Sequence, residues 1–165
     1  MTTQVYRSGT ATTPAQRGVE SQSFLDADTV RPEGRQGRTT AIFASPNLRG
    51  VLRWFYANTT LVKVADPFVK EFRVNPDTVW VYSINEWEKA SSRETYQAYW
   101  ESGMTLTEWN TNADQYDPAE WEILLGDKDI QSVKPVSDKR VLSHLIETDL
   151  FYEALPRAVK DARKK

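Results

Sequence analysis

Strand-length apolar runs interleaved with helix-spaced ones make this chain an α+β domain, a sheet with a few helices packed around it. The clearest strand is Thr78–Ile84, continuous enough in apolar residues to be central. The clearest helix is marked by Leu48, Val51, Leu52 and Phe55 at helical spacing. A length of 165 residues suits one domain, spanning 1–165, and no repeat or composition shift marks a second.

Taken in order, Gln4-Val5-Tyr6-Arg7 reads as a first strand, stopped by Ser8-Gly9-Thr10. Residues 11–38 are polar and read as a long loop with one helical turn, and loops of that length are usually either functional or disordered. Thr39–Ala44 is expected as a buried strand. Ser45-Pro46 then supplies a helix N-cap followed by a proline at the first helical position. Arg49 and Arg53 lie off the apolar stripe of that helix, on a solvated face, and Asn58-Thr59-Thr60 ends it. Leu61–Val64 and Phe68–Val74 read as short strands, with a turn at Asn75-Pro76-Asp77 before the central strand. Residues 86–101 read as a helix with Tyr96, Tyr99 and Trp100 on its buried side, stopped near Gly103. A strand at Glu120–Leu125 and a last strand at Ile130–Val136 follow. Asp138 is expected to cap a helical segment over 138–165, broken at Pro156 and ending in the basic tail Lys160–Lys165.

Composition narrows the chemistry. A net charge of -2 gives no electrostatic argument for nucleic acid or an acidic membrane. With no cysteine there is no disulfide framework, thiolate metal site or thiol nucleophile, and the single histidine, His144, leaves no multi-histidine site, so no metal is invoked. No apolar run reaches membrane-spanning length and no signal pattern opens the chain, so a cytoplasmic location is expected, which for a delivered toxin or phage effector means the host cytoplasm.

The stretch Glu120-Trp121-Glu122-Ile123-Leu124-Leu125 carries the strongest chemical signal. Residues two apart on a strand share a face, so Glu120 and Glu122 would lie side by side while Trp121, Ile123 and Leu125 face a core. Two carboxylates on one face of an apolar strand are costly unless they meet water, a cation or a substrate.

Three features together form a familiar series: Tyr6-Arg7 with Ser8-Gly9-Thr10 on the first strand, Phe43-Ala44-Ser45 feeding a helix, and the glutamate strand after a loop bearing Tyr116. The series resembles the ADP-ribosyltransferase family, in the branch built on an arginine, a serine and a Glu-x-Glu. The family's serine element is usually Ser-Thr-Ser, whereas here Ser45 alone stands at the match. The resemblance implies a split β-sheet core with flanking helices. It implies an NAD-dependent mono-ADP-ribosyltransferase that releases nicotinamide and passes ADP-ribose to an acceptor, for which the Glu-x-Glu form suggests an arginine side chain of a protein.

By the same resemblance, Glu122 would bond a ribose hydroxyl and stabilise positive charge building on the sugar. Glu120 would position or deprotonate the acceptor. Arg7 would hold the NAD phosphates or the ribose, as a guanidinium fork suits oxyanions. Ser8, Gly9 and Thr10 would lie against the NAD, with Gly9 admitting the nicotinamide amide to the backbone. Ser45 would brace Glu122, and Tyr116 would touch the acceptor or stack on the ring. This assignment requires Arg7, Ser45 and Glu122 to meet at one cleft, with Arg7 and Glu122 on one face of the sheet. Two other readings stand beside it: an NAD glycohydrolase using water as acceptor, and a non-enzymatic binding or inhibitor module on a similar fold. The segment Arg31-Pro32-Glu33-Gly34-Arg35 lacks the spacing of a phosphate loop and reads as a turn, from which an arginine could reach a phosphate.

Overall fold

The computed structural model describes residues 2–8, 21–51, 69–137, 139–141 and 143. Among the described residues seven strands form two antiparallel sheets. β1 (Thr3–Ser8), β3 (Val69–Val74) and β7 (Ser132–Pro135) make the first, in the order β1-β3-β7. β2 (Ile42–Ala44), β4 (Trp80–Ser83), β5 (Met104–Thr105) and β6 (Trp121–Leu125) make the second, in the order β2-β6-β4-β5. Among the described residues α1 (Gln22–Asp28), α2 (Ile84–Lys89), α3 (Arg93–Glu101) and α4 (Leu106–Thr111) accompany them. The α+β class expected from the sequence is therefore observed. Among the described residues no helix is long and apolar enough to cross a membrane.

Among the described residues one backbone bridge joins the sheets. Tyr6 on β1 and Ser45, just past β2, exchange backbone hydrogen bonds of 3.1 and 2.7 Å in an isolated antiparallel bridge. Away from this seam the two sheets share a core on one side. Val5, Phe72 and Val74 from the first sheet pack with Ile42, Ala44, Val81, Ile123 and Leu125 from the second, and α4 adds Leu106 and Trp109. The opposite side of the second sheet carries another core, in which Leu124 and Tyr82 meet Ala41 and the α3 residues Tyr99 and Trp100. β6 is thus covered on both faces, which explains its unbroken Ile123-Leu124-Leu125 run. Each of the Val, Leu, Ile and Phe side chains among them contributes about 1.5–3 kcal/mol by leaving water.

Several boundaries depart from the sequence-based expectation. The one helical turn expected within residues 11–38 is longer, the seven-residue α1, opened by Ser21, whose hydroxyl accepts the Phe24 N–H. The helix expected over 86–101 is two helices, because Ser92 and Thr95 form a capping box that restarts it at Arg93. The stretch after Gly103 holds α4, opened by a Thr105–Glu108 capping box. Helical residues 48–51 start later than Ser45-Pro46 implied: Asn47 Oδ1 accepts the Gly50 N–H at 3.1 Å, the bond of an N-cap, while Ser45 is held in the seam. Ser137 Oγ accepts the Arg140 N–H at 3.2 Å, and Asp138, the expected cap, lies outside the described residues. The expected strand Leu61–Val64, the end of the first helix, His144, Pro156 and the basic tail lie outside the described residues.

Gly50 lets this helical turn sit against the approach to β6. A Cβ there would lie 2.7 Å from the Pro118 carbonyl oxygen, and backbone cannot swing aside as a side chain can. Gly50→Ala should therefore lower stability by about 1–3 kcal/mol, despite a helix propensity gain of up to about 1 kcal/mol. Urea unfolding measures it, and an unchanged or more stable variant would show that the two segments are not packed this closely.

On the outer face of the first sheet, Glu71 is buried and fully engaged. Tyr6 Oη and Arg140 Nη1 each donate to its Oε1 at 3.1 Å, and Lys134 Nζ lies 3.0 Å from Oε2. Burial alone would push the Glu71 carboxyl up, but the hydrogen bonds from Lys134, Arg140 and Tyr6 outweigh it and hold the pKa below the ordinary 4.5. A depressed carboxylate pKa adds stability that is fully present above the ordinary value and is lost as pH falls through the folded-state value. Glu71→Gln should flatten the fall in stability below about pH 4.5, measured by urea unfolding at a series of pH values; an equally steep fall in the variant would remove Glu71 from the account.

Candidate functional site

β6 places Glu122 opposite Tyr82 on β4. On its other side Ala44 pairs with Ile123, so Ser45 continues β2 toward the level of Glu122. Alternation sends Trp121 and Ile123 into the core between the sheets and Glu122 to the opposite side, under the helices.

There Glu122 meets a buried arginine that the sequence reading did not single out. Arg38 is 3% exposed, and its Nη1 donates to both Glu122 Oε1 and the Tyr99 hydroxyl, the latter at 2.6 Å. The Tyr99 hydroxyl in turn donates to Glu122 Oε1 at 2.9 Å. Burial, with the Glu122 charge adding to it, pushes the Tyr99 pKa well above 10.0, so this phenol keeps its proton and stays a donor.

The Arg38 guanidinium also sits among aromatic faces. Its carbon is 3.5 Å from the Trp87 ring centre, 4.6 Å from Phe24, 4.7 Å from Phe43 and 5.0 Å from Tyr99. All lie within the range of cation–π attraction. Together the carboxylate and the rings replace the water that a buried guanidinium loses.

The loop before β2 is built to deliver this side chain. Asp28, at the end of α1, accepts the Arg38 N–H at 2.8 Å, the Thr39 N–H at 3.1 Å and the Thr39 hydroxyl at 2.7 Å. The Trp100 indole N–H donates to the Ala27 carbonyl at 2.8 Å and ties α1 to α3. Arg38 is thereby fixed by two elements more than sixty residues apart in sequence, and no local spacing could announce it.

The residues singled out from sequence are distributed as follows. Glu120 is exposed and belongs to a 3₁₀ turn, Pro118–Glu120, not to β6, so the two glutamates are not strand neighbours. Aspartate 117 caps that turn, with its Oδ1 accepting the Ala119 N–H at 3.0 Å. Ser45 is buried at the seam, but the brace on Glu122 comes from Arg38 and Tyr99. Tyr116 packs between Trp109 and Trp121, at ring separations of 5.6 and 5.0 Å, which is the Trp121 side of β6 and not the Glu122 side. Arg7 Nη1 donates to the Phe43 carbonyl at 2.9 Å, beside the seam. By alternation Arg7 leaves β1 on the side of Val5, whereas Tyr6, bridged to Ser45, faces the side of Glu122. The expectation of Arg7 and Glu122 on one face is not met, and the cation at Glu122 is Arg38. Ser8 ends β1 opposite Val69, and Gly9 and Thr10 lie outside the described residues.

What remains for chemistry is one carboxylate oxygen. Glu122 Oε1 is fixed by Arg38 and Tyr99, while Oε2 accepts no hydrogen bond among the described residues. The side chain is 14% exposed. A carboxylate held in this way can accept a hydroxyl or face a developing positive charge without first reorganising. Comparison with protein-family models, with curated proteins and with solved structures gave no match.

Proposed function

We propose that the chain is an NAD-dependent mono-ADP-ribosyltransferase in which Glu122 carries the chemical step. The supporting observation is the oriented, half-satisfied carboxylate of Glu122 on a strand beside the seam between two sheets. As the bond between ribose and nicotinamide breaks, nicotinamide leaves with the bonding electrons and positive charge builds on the sugar. Glu122 Oε2 stabilises that charge more than it stabilises the ground state. Arg38 and Tyr99 keep the carboxylate aimed by holding Oε1. The acceptor then adds to the sugar carbon and gives up a proton, which the exposed Glu120 is placed to take if it approaches from the turn before β6. An arginine side chain of a protein remains the proposed acceptor, and water in its place makes the same site an NAD glycohydrolase.

A non-enzymatic binding module is the second reading, and two observations favour it. Glu122 already has a cation, and Arg7 leaves its strand on the other face. In that reading Arg38, Tyr99 and Glu122 are a brace that fixes α1 and α3 on the sheet. Free nicotinamide measured after incubation with NAD and a cell lysate separates the two, with NAD binding followed by calorimetry in parallel. Release supports the transferase; neither release nor binding supports the brace.

A further inference from the structure

A cleft lies at the end of β6 opposite to Glu122. It has a volume of about 500 Å³ and opens between the loop over residues 31–40 and Lys128, in the turn after the strand. Three cations line it, Arg31, Arg35 and Lys128. None of them forms an ion pair among the described residues. The carboxylate in the wall, Asp28, is occupied by the Arg38 and Thr39 N–H groups and the Thr39 hydroxyl. Asp129, in the adjoining hollow, accepts the Gly126 N–H at Oδ2 at 2.8 Å. With three cations and one carboxylate, the lining carries a net charge of +2, a concentration of positive charge in a chain whose net charge is -2.

Its two arginines are held before any ligand arrives. The Arg35 guanidinium lies 3.5 Å over the Trp80 ring and donates to the Trp100 carbonyl at 3.4 Å. Arg31 Nη1 folds back onto the Arg35 carbonyl. Gly34, at φ 82°, makes the turn that carries both arginines to the same opening. Gln36 Nε2 donates to the Thr40 hydroxyl oxygen at 2.6 Å, which leaves that hydroxyl's proton to be donated. Fixed guanidinium forks, an ammonium and a hydroxyl around one opening are the donor set of a phosphate site. The volume exceeds what one phosphate fills and lies in the range of nucleotide-sized ligands.

We propose that this cleft binds a diphosphate, either as free pyrophosphate or as the diphosphate of a nucleotide. The proposal does not rest on the reading of Glu122, which lies at the opposite end of the strand. The test is calorimetric titration of the full chain at low salt with pyrophosphate, ADP and inorganic phosphate in turn. Pyrophosphate and ADP should bind at least about tenfold more tightly than phosphate. ADP binding more tightly than pyrophosphate assigns a nucleotide; equal affinities assign the diphosphate group alone. Lys128→Glu, a change at an exposed side chain, should weaken pyrophosphate binding at least about tenfold with an unchanged thermal midpoint, and Arg31→Gln should weaken it too. Glu122→Gln should leave it unaltered. No binding of pyrophosphate or ADP at millimolar concentration overturns the proposal. So does phosphate binding as tightly as pyrophosphate, an affinity indifferent to Lys128→Glu, or a loss in Glu122→Gln as large as that in Lys128→Glu.

Discussion

Arg38→Met is expected to lower the stability of the folded chain by about 3–5 kcal/mol, the cost of leaving one partner of a buried ion pair alone. Arg38 is 3% exposed and Glu122 14%, so water cannot replace the lost guanidinium without opening the packing of α1, α2 and α3 on β6. The variant also gives up the cation–π contacts to Trp87, Phe24, Phe43 and Tyr99, although the Met side chain fills part of the same space. For a domain of this size the thermal midpoint should fall by roughly 10 °C. Arg38→Met combined with Glu122→Leu should regain most of the loss, because removing both charges abolishes the desolvation penalty. Urea unfolding of the two single variants and the double variant measures the coupling. A single variant as stable as the native chain would mean that Arg38 and Glu122 are not paired in the folded protein.

Glu122→Gln is expected to reduce nicotinamide release at least about a hundredfold under the proposed reaction, the size of effect seen when a charge partner of the transition state is removed. Glutamine keeps the shape and can still accept from the Tyr99 hydroxyl, so the loss reports the charge and not the packing. The variant leaves the Arg38 guanidinium uncompensated, and it must therefore be assayed well below its own thermal midpoint. A folded Glu122→Gln that releases nicotinamide at the native rate would remove Glu122 from the chemistry.

The sheet was legible in the sequence wherever one residue type dominates a run. The apolar stretch from Val79 to Ile84 and the Ile123-Leu124-Leu125 run became β4 and β6, because burial on both faces leaves no polar alternation to mislead. Tyr96, Tyr99 and Trp100 likewise marked the inner side of α3. Segments whose structure depends on capping were less legible. Ser21, Ser92 and Thr105 each start a helix, yet their side chains are common loop residues, and only the hydrogen bonds to Phe24, Thr95 and Glu108 N–H groups reveal the role. Glu120 looked like strand because it precedes Trp121, but Asp117-Pro118 tightens the chain into a 3₁₀ turn one residue too late for it to join β6.

The site was legible only in Glu122. Its partners Arg38 and Tyr99 lie 84 and 23 residues away along the chain, and they converge only once α1 and α3 have docked on the same side of the second sheet. Arg7, singled out by the resemblance of Tyr6-Arg7 to the family's first-strand arginine, belongs by alternation to the side of Val5 and binds a backbone carbonyl. A charge on a strand is readable from sequence, but the face from which it meets its partner is set by which strands pair at the seam.

The most direct measurement is the release of free nicotinamide from NAD by the native chain, with cell lysate present to supply an acceptor and Glu122→Gln run beside it. The transferase reading expects release by the native chain and at least about a hundredfold less by the variant. No release by the native chain, together with no heat of NAD binding, would contradict it and leave Arg38, Tyr99 and Glu122 as a structural brace.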